Sequence, residues 1–412
     1  MKRSIRLIII LLLFCRANPV SAQERPLCGN YEHEQNQKKF NPASVKIDLA
    51  NEEEIKRWVK KKSAARLTNS IITLPVVVHV IYNKAEQNIS DAQIRSQIEA
   101  LNQDFRRLNA DTSLTPEYFR AYATDTRIQF QLARQDPNGN PTNGITRRLT
   151  RKEKFFNDDS VKFKVSGGTD IWDRDSYLNI WVCNMSSWLL GFAQSPGVGS
   201  AETDGVVINY RYFGTIDTAT KPFNQGRSTT HEVGHWLNLK HIWGDAKCGD
   251  DLVEDTPIQE DSNSHCQAFP SSSCGNYSDM FMNYMDYSPD ACMNLFTKGQ
   301  KERMQATLNT LRQKLLSSQG AVSLNLAASD TRIFKLYPNP SAGIFYLESF
   351  LPVVSLQLKV SDTRGSIIVG REIKELTPQI VSFDLSDLAN GVYHIQIITP
   401  NLSFSKRIVL VR

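Results

Sequence analysis

Beyond its N-terminus the chain has no apolar run long enough to cross a bilayer, so no transmembrane segment is expected. It also lacks a strong charge of either sign. Forty-eight Lys and Arg against 43 Asp and Glu leave a net charge of +5. No dense basic patch with interleaved aromatics is present, so nucleic acid is not an expected partner. CxxC pairs are missing, which disfavours a four-cysteine zinc site. What remains is a chain of 412 residues with an ordinary apolar fraction of 41%, long enough for two or three domains.

The N-terminus, MKRSIRLIIILLLFCRANPVSAQ, has a basic start, an apolar stretch Leu7–Phe14 and small residues Ser21-Ala22 before Gln23. It reads as a secretory signal peptide over residues 1–22, cleaved after Ala22. Bulky Phe14 before Cys15 disfavours a lipid anchor there. Six cysteines follow: Cys28, Cys183, Cys248, Cys266, Cys274 and Cys292. In an oxidising compartment the last four read as two disulfides, with three pairings open.

Residues 231–241 read HEVGHWLNLKH. On a helix His231 and His235, at i and i+4, share a face and can grip one ion. His241 supplies a third ligand. Glu232 points elsewhere and is better placed to serve a water. Three protein ligands leave one zinc position open, the arrangement of a catalytic site. The bland alternative is a surface helix that happens to carry histidines, but it must explain apolar Trp236 and Leu237 beside them. The usual HExxHxxGxxH pattern has glycine where this chain has Asn238. The helix must end there to bring His241 round, and asparagine is the next best residue for the left-handed turn.

With HEVGHWLNLKHIWGD as it stands, the sequence resembles the pappalysin family of metzincin zinc metalloproteases, in particular its small bacterial members. The resemblance covers about residues 66–316. It implies an α/β (α+β) catalytic domain: a twisted, mostly parallel sheet with an active-site helix above a cleft and an irregular lower half. It implies catalytic zinc on His231, His235 and His241, with Glu232 as general base. It marks Met285, in NYMDYSPDACMNLFT, as the methionine of the turn beneath the metal, although Met280, Met282 and Met293 lie nearby. Tyr287 matches a tyrosine beside the zinc that can donate to a developing oxyanion. The resemblance also implies the pairings Cys248–Cys274 and Cys266–Cys292. By composition the run CGDDLVEDTP at 248–257 is a solvated acidic loop. Pappalysins bind calcium in the corresponding stretch, which implies Asp251, the Val253 carbonyl and Thr256 as ligands.

Ahead of this region, residues 23–65 are polar and charged and read as a pro-segment. Its lone Cys28, in RPLCGN, resembles the cysteine switch of matrix metalloproteases, in which a thiolate fills the open zinc position. The alternatives are a disulfide with Cys183 or a free thiol. Cys183, in LNIWVC, reads as buried core. An activating cut is expected near 63–70. The apolar run 73–82 predicts a strand buried on both faces. Residues 90–109 predict a helix capped by Ser90, with Ile94, Ile98, Leu101, Phe105 and Leu108 as its apolar stripe. Further strands are expected at 127–133, 178–183 and 205–210, the zinc helix at 225–237 and a last helix at 297–316.

Residues 317–331 are small and polar, a linker. From 332 to 412 short strands alternate with turns, predicting an all-β sandwich. Its segments YPNPSAGIF, DTRGSII, LANGVYHI and KRIVLVR resemble the C-terminal sorting domain of the type IX secretion system. A substrate-binding accessory sandwich is the alternative, and no exposed aromatic row supports it. The expected product is a secreted or surface-attached, monomeric zinc endopeptidase made as a latent zymogen. It would act on proteins and peptides and be exported by the type IX machinery. The competing reading is a non-catalytic, zinc-stabilised surface adhesin, which would have no need of Glu232.

Overall fold

The computed structural model describes residues 27–62, 70–322, 334–349, 355–374, 380–398 and 403–412. The expected signal peptide with Cys15, the start of the expected pro-segment, the expected cut region over 63–69 and the expected linker over 323–331 lie outside the described residues.

The strand expected at 73–82 is β2 (Ile72–Tyr82), and it organises the larger body. Its alternating side chains feed different cores. Val76, Val78 and Val80 join the main core under the helices, and Ile81 joins a second core on the opposite face. Polar His79 sits between them, fully buried. Burial on both faces is why the run is apolar almost throughout, with His79 the buried polar exception. One edge of β2 pairs in parallel with β3 (Ile128–Leu132) and then β4 (Ile145–Leu149). The other edge pairs in parallel with β5 (Leu178–Cys183), which pairs with β7 (Val206–Asn209). β6 (Leu189–Ala193) is antiparallel to β7. The short β1 (Leu27–Cys28) adds in parallel to β6. Neither β6 nor β4 is anticipated by the sequence reading.

Helix α3 (Asp91–Phe105) is capped by Ser90, whose hydroxyl accepts from the Gln93 amide at 3.0 Å. Ile94, Ile98, Leu101 and Phe105 are buried, but Leu108 is 68% exposed. The chain turns left-handed at Arg107, with φ 51°, and the helix ends before Leu108 can join the stripe. A single helical turn, α4 (Glu117–Arg120), leads towards β3. The histidine-bearing helix, α5 (Arg227–Trp236), packs under β6 and β7. The last helix, α6 (Lys298–Asn309), is shorter than expected. The expected linker start at 317 is also early. The carbonyl of Gly320 accepts from the amides of Arg134 and Gln135, so residues 318–322 still belong to this body.

The polar N-terminal segment, for which the sequence reading gave no structure, forms α1 (Asn30–Phe40) and α2 (Ala43–Lys62). The C-terminal strands form a separate sandwich with its own core. One sheet runs β11 (Ile367–Lys374), β10 (Ser355–Ser361), β13 (Gly391–Ile398), β14 (Ser403–Leu410). The other runs β12 (Ile380–Asp384), β9 (Ile344–Ser349), β8 (Phe334–Tyr337). All pairings are antiparallel. Among the described residues no helix is long and apolar enough to cross a membrane.

Candidate metal centre and cleft

Every residue of α5 is buried, so the histidine run lies inside the molecule and not on a surface helix. Its end is a Schellman turn. The Asn238 amide donates to the His235 carbonyl and the Leu239 amide to that of Gly234, with Asn238 at φ 71°. The turn swings His241 back onto the helix. Nε2 of His235 then lies 3.1 Å from Nε2 of both His231 and His241.

Behind each ring an acceptor holds Nδ1. His231 faces the Tyr284 carbonyl at 2.7 Å and His235 the Leu239 carbonyl at 2.9 Å. His241 faces the Asp245 carboxylate. A ring that donates from Nδ1 presents an unprotonated lone pair at Nε2. Three converging lone pairs repel one another unless a cation stands between them. Burial and the neighbouring rings hold His231 well below its usual pKa, and His235 at about 3. Tetrahedral zinc at 2.0–2.1 Å from nitrogen needs N···N separations of about 3.3 Å, so the donor set fits the ion.

Cys28 completes the cluster: its sulfur and the three imidazoles offer ligand atoms within 4.8 Å of one another. β1 brings it there, and the Gly29 amide continues the contact by donating to Gly191 at 2.8 Å. Burial, then the Glu232 carboxylate, push the Cys28 thiol well above its ordinary value. Cys183 is apart from all this, a free cysteine fully buried in the sheet. Glu232 is 1% exposed and one of its oxygens, Oε2, has no partner. Burial pushes its carboxyl up to about 8, with the Cys28 thiol lowering it in part.

Met285 lies directly under α5. A Cβ on Gly234 would come within 2.5 Å of its sulfur, so the glycine of HEVGH makes room for this floor. No motif in the sequence marks that glycine. Tyr287 stands edge-on to His241 with ring centroids 4.9 Å apart, and its hydroxyl donates to the Cys28 carbonyl at 3.4 Å. Burial raises its phenol well above 10, so it stays a donor. Asp286 holds the turn by accepting from Gln259, Asn263 and the Tyr287 amide. Also unforeseen is buried Asp104, which accepts from Thr230 on α5 and from the Tyr284 hydroxyl, both at 2.8 Å. Beside Glu232 a narrow pocket opens, lined by Leu190, Phe223, Arg227, Asp290 and Met293.

Below the cleft, disulfides join Cys248 to Cys274 and Cys266 to Cys292. The Asp251 carboxylate, the Val253 carbonyl and the Thr256 hydroxyl come together: Thr256 Oγ1 is 2.8 Å from both Asp251 Oδ1 and the Val253 oxygen. Asp251 Oδ2 is buried without a partner, and burial pushes this carboxyl up to about 7.

Residues 164–309 match the family described as pregnancy-associated plasma protein-A. Residues 335–411 match a secretion system C-terminal sorting domain. An extracellular metalloprotease of Arthroderma benhamiae is 33% identical over 251 residues, which cover 58% of this chain and 79% of that protein. Mature mirolysin of Tannerella forsythia, solved with a cleaved peptide, is 52% identical with a TM-score of 0.59, covering 60% of this chain and 97% of its own. A promirolysin mutant from the same organism is 47% identical with a TM-score of 0.65, covering 70% and 97%.

Proposed function

The chain belongs to the pregnancy-associated plasma protein-A, or pappalysin, family of metallopeptidases, and from that premise we propose how its own residues carry the reaction. It is a secreted zinc metalloendopeptidase, and its sorting domain directs it outside the cell by type IX secretion. The observation that carries the residue assignment is the convergence of three Nε2 atoms whose rings are all fixed through Nδ1.

His231, His235 and His241 would hold the zinc. When bound, the ion polarises the scissile carbonyl and makes water acidic enough to lose a proton near neutral pH. Glu232 takes that proton on its carboxylate as the water oxygen attacks the carbonyl carbon. It delivers the proton to the nitrogen as the C–N bond breaks. Tyr287, held protonated, donates to the carbonyl oxygen as negative charge develops there. Met285 closes the floor and keeps water from the back of the rings. Glu232→Ala is expected to abolish cleavage of casein while metal content stays near one zinc per chain. Wild-type cleavage by that variant would sink the assignment.

Residues 23–65 act as a pro-segment that keeps the enzyme latent. Cys28 occupies the open ligand position and so excludes the water that Glu232 would serve. The longer match to promirolysin than to mature mirolysin supports this reading. The catalytic domain spans 66–316 extended to 322, followed by the linker and the sandwich.

The loop at 248–257 holds calcium. Its fit rests on the orphaned, buried Asp251 oxygen beside the Val253 carbonyl and the Thr256 hydroxyl, hard oxygens of the kind calcium takes. Asp255 ties the loop to α6 by accepting from Thr297 and from the Gly299 amide. Calcium removal with zinc retained should therefore lower the melting temperature by several degrees. An unchanged melting curve would exclude the site.

A further inference from the structure

Three buried side chains that the catalytic scheme leaves unused meet at the turn carrying His241. Arg303 on α6 donates from Nε to the Asn238 carbonyl at 2.6 Å and from its other arm to Glu52 on α2. The Asn238 side-chain amide donates to the same Glu52 oxygen at 3.1 Å. Glu52, Asn238 and Arg303 are 7%, 6% and 3% exposed. The second Glu52 oxygen is buried and has no partner. A carboxylate is costly to bury, and only close partners offset that cost. Ile55, nearly one turn further along α2, is 1% exposed and anchors the same face.

Asn238 is the residue at which this chain departs from the metzincin glycine. At φ 71° a glycine would serve the turn at least as well. The backbone therefore gives no reason for a side chain here. Its amide is used on Glu52, which lies 186 residues away in the N-terminal segment.

We infer that Glu52, Asn238 and Arg303 form a second latch, by which the pro-segment grips the turn carrying His241 independently of Cys28. The latch rests on the reading of the N-terminal segment as inhibitory. Glu52 leaves with that segment, so substitutions there leave the mature enzyme's sequence intact. Arg303 stays and keeps its bond to the Asn238 carbonyl, which makes it a positioning residue for the turn.

The test uses full-length zymogens assayed on a quenched peptide before any pro-segment cleavage: wild type, Glu52→Gln, Cys28→Ala and the double variant. A wild-type zymogen as active as the mature enzyme would overturn the pro-segment reading itself, whatever Glu52 does. With wild type latent, Cys28→Ala should keep part of its latency, and adding Glu52→Gln should raise its activity on the order of tenfold. A Cys28→Ala zymogen already fully active, or one that Glu52→Gln changes less than twofold, would overturn the latch. Asn238→Gly gives a second route, since glycine suits the turn. It should loosen α2, seen as faster amide exchange over residues 43–62 in a Glu232→Ala background. Exchange at the wild-type rate would overturn the latch on that route as well.

Discussion

Asp245 fixes the His241 ring from behind, and no backbone carbonyl does that job for it as Leu239 does for His235. Trp243 stacks on the same ring with centroids 4.4 Å apart and 8° between planes. Removing the carboxylate should free the ring to rotate and to change tautomer. Asp245→Ala is thus expected to weaken zinc binding by about 10–100-fold, read from the chelator concentration that strips half the metal. An unchanged midpoint would show that stacking alone orients the ring. The grouping of the three histidines over Met285 is legible in the sequence because local spacing and a short motif carry it. Asp245 sits four residues after His241, a spacing with many other uses, so nothing in the sequence singled it out. Asp104 was beyond reach altogether: its partner Thr230 is 126 residues away, and only the fold makes them neighbours.

Elements read well where one periodicity served one environment. β2 lies between two cores and is apolar but for Thr73 and His79, and α3 has its stripe and its cap. Leu108 falls outside the buried stripe because Arg107 turns left-handed, which no stripe of apolar residues reports. α2 is hidden from composition for a different reason. Its docking uses a charged residue, Glu52, and a composition rule assigns such residues to solvent. His79 in β2 is a similar exception with a pH consequence. Its ring nitrogens face Thr146 at 2.8 Å and Asn179 at 3.0 Å, and burial lowers its pKa from 6.5 to about 4. The folded state thus keeps the ring neutral where the unfolded chain protonates it. Its stability contribution is full above about pH 6.5 and is lost as pH falls towards 4, by about 3 kcal/mol at most. His79→Gln, which cannot titrate, should flatten the decline of melting temperature between pH 6.5 and 4. An unaltered slope would place the acid sensitivity elsewhere.

At the scale of the molecule, the peptidase body and the sandwich have separate apolar cores with no residue in common. A core complete in itself should survive removal of its neighbour. The matched families divide at the same place, one ending at residue 309 and the other beginning at 335. Composition located this boundary only approximately, because small polar residues look alike whether they link domains or finish one. Residues 318–322 finish the peptidase body. Gly320 accepts from the Arg134 and Gln135 amides, Ala321 from the Gln131 side chain and Val322 from the Gln135 side chain. A Cβ on Gly320 would lie 2.5 Å from the Tyr177 ring, so the strap passes too close for a larger residue. Two truncations therefore separate the roles. A chain ending at residue 322 should melt with the peptidase transition of the full protein and keep the full protein's peptidase activity, yet fail to be exported. A chain ending at residue 316 should melt several degrees lower, because the Arg134 and Gln135 amides lose their acceptor and the strap that covers Tyr177 is gone. Equal melting of the two would return residues 317–322 to the linker.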